Sequence, residues 1–109
     1  MARTWKSMVP GVELPDPRAD YRQSARAGQY KVSALALYQE DGNYLPFAGV
    51  TEVQRDKGSV HVTGCCIGGV PVERVVVTIP AGKRAFFFDS VKTADRVAGL
   101  CRAGAGLDG

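Results

Sequence analysis

The chain is poor in the residues from which metal and redox sites are built. Its 109 residues include one histidine and three cysteines. A structural zinc site needs Cys and His ligands converging on one point, usually from closely spaced pairs. No C-x-x-C pair occurs here: Cys65 and Cys66 are adjacent, and Cys101 stands alone. Neighbouring residues of a strand point to opposite faces, so Cys65 shares a face with His61 and Cys66 does not. A vicinal disulfide is strained. The expectation is three free thiols acting as small core hydrophobes, a reducing, cytoplasmic compartment, no metal and no cofactor.

Other catalytic patterns are also missing. Gly64 and Gly68-Gly69 sit between strand-like runs, whereas a phosphate-cradling loop leads into a helix N-terminus. There is no G-K-[ST] loop. Glu40 and Asp41 flank a turn, and Glu52 and Glu73 stand singly on strands, so no carboxylate pair is placed for acid–base work. A thiol enzyme would need His61 beside Cys65 or Cys101, and nothing else in the chain specifies a substrate for it. No catalytic residue is assigned. No apolar run approaches the ~20 residues of a membrane helix, and no apolar signal segment follows Arg3 and Lys6.

What the chain does have is concentrated in residues 59–88. Val60, Val62 and Cys66 alternate with His61, Thr63 and Cys65, the period of a strand with one buried face. Gly68-Gly69 follows as a hairpin turn. Val75, Val77 and Ile79 then lie on one face of a second strand, with Val72 and Val76 on the other. Pro80-Ala81-Gly82 stops it, and Arg84 to Phe88 returns with Phe86 and Phe88 on one face and Phe87 on the other. Two of these rings are expected in the core. The third either packs under the terminal helix or forms part of an open aromatic platform.

Upstream, Tyr30 to Glu40 alternates as one strand, with Asp41-Gly42-Asn43 as a hairpin signal after it. Pro46 and Gly49 make the next stretch irregular until a strand at Val50 to Gln54, and Asp56-Lys57-Gly58 reads as another hairpin turn. Downstream, Val91, Ala94, Val97, Ala98 and Cys101 fall on one helical face. Asp89, Ser90 or Thr93 is the expected cap, and Gly104 the stop.

These readings predict an α+β fold, mainly antiparallel. A meander sheet or half-barrel of about five strands (29–109) is closed by one C-terminal helix, behind an extended N-terminal arm (1–28). At this length a single domain buries roughly 65% of its unfolded surface, and 45% hydrophobic residues suffice for a core. The arm contains Pro10, Pro15 and Pro17, with a helical turn or two expected between Asp20 and Ala27 and a cap from Asp16 or Asp20.

Residues 1–31 carry six basic side chains against three acidic ones, so the net charge of +3 resides there. Trp5 either docks in a groove of its own fold or anchors a partner, as interface aromatics do; with it and Arg18, Arg22 and Arg26, the arm is the expected partner-binding element. One helix covers only one face of such a sheet, so an open sheet face or edge is the second candidate surface. The functional expectation is a small non-enzymatic protein-binding or assembly module, oligomeric or bound to a protein partner, without small-molecule substrate or membrane contact. Small active-site-free chains of this kind are common among virus- and plasmid-encoded inhibitors and structural subunits. The alternative is a single-strand nucleic-acid-binding module. In it Tyr30, Tyr38 and Phe87 stack on bases while Lys31, Lys83 and Arg84 contact phosphates.

Overall fold

In the computed structural model, which describes residues 4–61 and 69–107, the strands form two sheets with one core between them. Sheet A has the order β1-β5-β4-β3-β2, from β1 (Lys6–Ser7), β2 (Ala25–Ala27), β3 (Tyr30–Val32), β4 (Ala36–Tyr38) and β5 (Asn43–Pro46). Sheet B has the order β6-β7-β8, from β6 (Glu52–His61), β7 (Gly69–Ile79) and β8 (Gly82–Phe88). A short helix α1 (Pro17–Gln23) precedes β2, and α2 (Val91–Ala105) closes the chain. Every pairing is antiparallel except β1 with β5. The α+β class, the antiparallel bias and the closing helix agree with the sequence reading. The single five-stranded meander becomes two sheets and, among the described residues, eight strands.

The extra strands have local causes. Tyr30 to Glu40 is two strands because Ser33 folds the chain back. Its hydroxyl accepts from the N–H groups of Leu35 and Ala36 at 3.0 and 3.1 Å, and its own N–H donates to the Ala36 carbonyl at 2.9 Å. A serine hydroxyl offers the backbone an alternative to the ladder in this way. Leu35 is thereby left at the tip, 51% exposed. The turn at Asp41-Gly42-Asn43 forms as expected, with Gly42 at φ 94° and the Asp41 carboxylate accepting from the Asn43 N–H at 3.0 Å. Asp56-Lys57-Gly58, in contrast, is not a turn. It lies inside β6, where Asp56 faces Arg74 and Lys57 faces Glu73 across to β7. These cross-strand pairs of opposite charge stabilise an extended run that local propensity alone would break.

The core draws Val32, Leu37 and Leu45 from sheet A, Val75, Val77, Phe86 and Phe88 from sheet B, and Val97 and Cys101 from α2. Tyr30 joins the sheets: its ring meets Phe86 and Phe88 edge-on at 5.4 and 5.3 Å, and its hydroxyl accepts from the Phe87 N–H at 3.2 Å. Ser90 caps α2 by accepting from the Thr93 N–H. Gly104 does not stop the helix. Gly106 does, at φ 73°, with the Leu107 N–H bonded to the Arg102 carbonyl at 2.8 Å. Gly104 is small for another reason: a Cβ there would stand 2.7 Å from Phe47 Cβ and 3.0 Å from the Ala34 carbonyl oxygen.

Candidate functional site

Each sheet has an outer face turned away from the shared core, and the two differ. On sheet A, the period-two alternation that sends Val32 and Leu37 inward sends Ala36, Tyr38 and Tyr44 outward. These three are nonetheless buried, because Trp5, Leu14 and Tyr21 of the leader pack on them. Trp5 lies 4.6 Å from Tyr21 and 5.0 Å from Tyr38, centroid to centroid. The leader is held by backbone as well: Lys6 donates to the Gly42 carbonyl and Met8 to the Tyr44 carbonyl, both at 2.8 Å.

The fastening of α1 is a buried carboxylate. Asp16 caps the helix by accepting from the Ala19 N–H at 3.1 Å, which places Asp20 one turn later facing the sheet. There Asp20 accepts from the Tyr38 hydroxyl at 2.5 Å, the Ser33 hydroxyl at 2.6 Å and the Gln23 amide at 3.3 Å. A buried carboxylate is tolerated when its lone pairs are filled in this way. Burial, and after it the neighbouring Asp20 carboxylate, pushes the Tyr38 phenol well above its ordinary range. Tyr38 therefore acts as a donor fixed in place, a role no sequence pattern announces.

On sheet B, Val75, Val77 and Phe86 face inward, so Val72, Arg74, Val76 and Phe87 face outward. Arg74 forms a two-pronged pair with Asp56 across the strands at 2.7 and 2.8 Å. Phe87 lies directly beside Arg74 in register. Val72 and Phe87 line an open cleft of about 390 Å³ together with Gly28, Gln29, Phe88 and Asp89. The β6–β7 ribbon also outruns its neighbour. β8 ends opposite Glu73, while β7 continues to Gly69 paired with β6 alone, an overhang of roughly 13 Å at strand rise. Pro71 sits in this overhang, where no third strand calls on its missing N–H. Val70 there is 46% exposed. At the opposite edge of sheet B, Arg55 binds Glu73 at 2.7 Å and Asp95 of α2 at 2.9 Å, fixing the helix across the inner face.

The residues singled out from the sequence are dispersed over this frame. Trp5 packs within the fold. Arg18, Arg22 and Arg26 are exposed on the leader and β2. Tyr30 and Tyr38 are buried at 7% and 1% exposure, so neither offers a ring face to a base. Lys31 rests over the Tyr21 ring at 4.7 Å. Lys83 and Arg84 are exposed at the start of β8, and Phe87 is half-buried on the outer face of sheet B. The proposed stacking residues are therefore not gathered on one surface. The turn at Gly68-Gly69 and the Cys65–Cys66 pair lie largely outside the described residues, although Gly69 itself begins β7 opposite His61. Cys101 is buried in the core, where desolvation pushes its thiol up to about 12. Among the described residues no group of three or more metal-ligating side chains gathers, and no helix is long and apolar enough to cross a membrane. Comparison with protein-family models, with curated proteins and with solved structures finds no match for this chain.

Proposed function

We propose that the protein is a non-catalytic binding module that holds a protein partner on the outer face of sheet B and along its overhanging ribbon. The observation that carries this reading is the overhang: a two-stranded extension bearing an exposed Val70, continuous with Val72 and Phe87 around the Arg74–Asp56 pair. The face offers a partner apolar area at Val70, Val72 and Phe87 beside an ion pair whose charges are already matched, and protein contact surfaces mix apolar and polar area in this way. The leader is the weaker candidate, because Trp5 is engaged with Tyr21 and Tyr38. The free thiol of Cys101 supports a reducing compartment for the module.

Site-directed photocrosslinking in cells that make the native chain tests this. A photoreactive residue at position 70, 72 or 87 is expected to give one discrete protein adduct, and one at position 18 or 22 none. With that partner purified, Val70→Asp should weaken binding at least tenfold and Arg18→Ala should leave it unchanged. Adducts from positions 18 and 22 with none from sheet B, or no adduct from any sheet B position, overturn the proposal.

A further inference from the structure

In sheet B the charged cross-strand neighbours are matched: Asp56 faces Arg74 and Lys57 faces Glu73. Sheet A contains the opposite arrangement. Arg26 of β2 stands directly opposite Lys31 of β3, and like charges so placed repel and destabilise the pair. Both cations are restrained. Lys31 is seated over the Tyr21 ring at 4.7 Å, on a helix that Asp20 fastens to the sheet. Arg26 reaches back to the Gly28 carbonyl at 3.4 Å. Among the described residues no carboxylate lies within ion-pair distance of either. Of the nearby acids, Asp20 is occupied by Tyr38, Ser33 and Gln23 and Asp41 by Gln39 and the Asn43 N–H, while the exposed Glu40 stands at the rim of the space over the two cations. Over the two cations opens a trough of about 310 Å³, lined also by Tyr21, Gln29, Tyr38, Gln39 and Glu40.

We propose that this trough binds a small phosphate monoester, its phosphate shared between Arg26 and Lys31. A guanidinium fork and an ammonium point charge are complementary to phosphate oxygens, and a dianion between them turns the repulsion of the empty site into attraction to a common partner. The trough is larger than a bare phosphate requires. Glu40 stands beside it as an acceptor for a hydroxyl of the esterified group. The site lies on the outer face of sheet A and shares Gln29 with the cleft beside Val72 and Phe87, but neither assignment depends on the other.

Thermal unfolding at low ionic strength tests it, with ribose 5-phosphate as probe and ribose and sodium chloride at matched ionic strength as controls. A saturable rise in Tm of about 4 °C or more is expected at tenfold excess over Kd, with neither control reproducing it. Arg26→Gln should raise the Tm of the ligand-free protein, by removing the repulsion, and should abolish the response. Lys83→Gln and Arg84→Gln, on sheet B, should retain it. A rise matched by sodium chloride, a response that survives Arg26→Gln, or one lost equally in Lys83→Gln or Arg84→Gln overturns the proposal.

Discussion

The outer face of sheet A carries two tyrosines under a tryptophan, whereas the outer face of sheet B carries valines and Phe87 around an ion pair. Tyr38 and Tyr44 are buried because residues 5–21 of the same chain lie over them, and Asp20 fixes that cover by hydrogen bonds to side chains of the sheet. On sheet B a salt bridge between neighbouring strands occupies the middle of the face, and Val70 remains exposed at its end. The difference shows where each face stores its free energy. The first depends on long-range burial of aromatic surface, and losing the cover would expose it. The second is already compatible with water through Arg74 and Asp56, so it can remain open to solvent.

The largest effect is expected from breaking the fastening of sheet A. Asp20→Ala leaves the Tyr38 hydroxyl buried without its acceptor, and should cost about 3 kcal/mol of stability in urea unfolding. A loss below about 1 kcal/mol would mean that the leader contributes little to the fold. Next comes a direct contrast of the two faces. Trp5→Ala should cost about 2 kcal/mol, since the ring packs on Tyr21 and Tyr38. Val70→Thr should stay within about 0.5 kcal/mol, as exposed substitutions do. Equal costs at the two positions would erase the distinction between a covered and an open face.

The helix that closes sheet B gives a pair of opposite sign. Gly104→Ala should destabilise by about 1–3 kcal/mol, because its Cβ meets Phe47 and the Ala34 carbonyl and forces local movement. Gly99→Ala, where a Cβ meets nothing within 4 Å, should stabilise by up to about 1 kcal/mol. The smallest effect concerns the ion pair of the open face. Hydrogen bonds from Arg74 hold the Asp56 carboxyl below its ordinary value, and the Asn43 N–H does the same for Asp41. A carboxylate with a depressed folded value stabilises the fold above its unfolded value and loses that contribution as pH falls through the folded one. Stability should therefore decline below about pH 4. Arg74→Met should make that acid limb shallower in urea midpoints measured across it, by removing the share of Asp56 and leaving that of Asp41.

Strands β7 and β8 and helix α2 were legible in the sequence because their order is local and periodic. Val75, Val77 and Ile79 announce one buried face, and Ala94, Val97, Ala98 and Cys101 another. Sheet A was less so. Its strands are three or four residues long, too short for alternation to distinguish one strand from two, and the break at Ser33 depends on a side-chain hydroxyl. Asp56-Lys57-Gly58 has turn composition, yet it is extended because its partners on β7 lie 18 residues away for Asp56 and Arg74, a distance no local reading spans. The leader was legible as polar and proline-punctuated. The contact that fastens it was not, since it is one carboxylate meeting Tyr38 and Ser33 from 18 and 13 residues away. The like-charged Arg26–Lys31 pair was hidden for the same reason, because it exists only once β2 and β3 are in register.

The chain's single tryptophan lies in the leader, so Trp5 fluorescence reports directly whether sheet A is covered. In the native protein its emission should be blue-shifted and protected from acrylamide relative to the unfolded chain. In urea it should move to the red in the same transition that abolishes the far-UV circular dichroism of the sheets. A native emission already at the wavelength of a water-exposed indole, or a separate earlier transition, would contradict a leader that forms part of the fold.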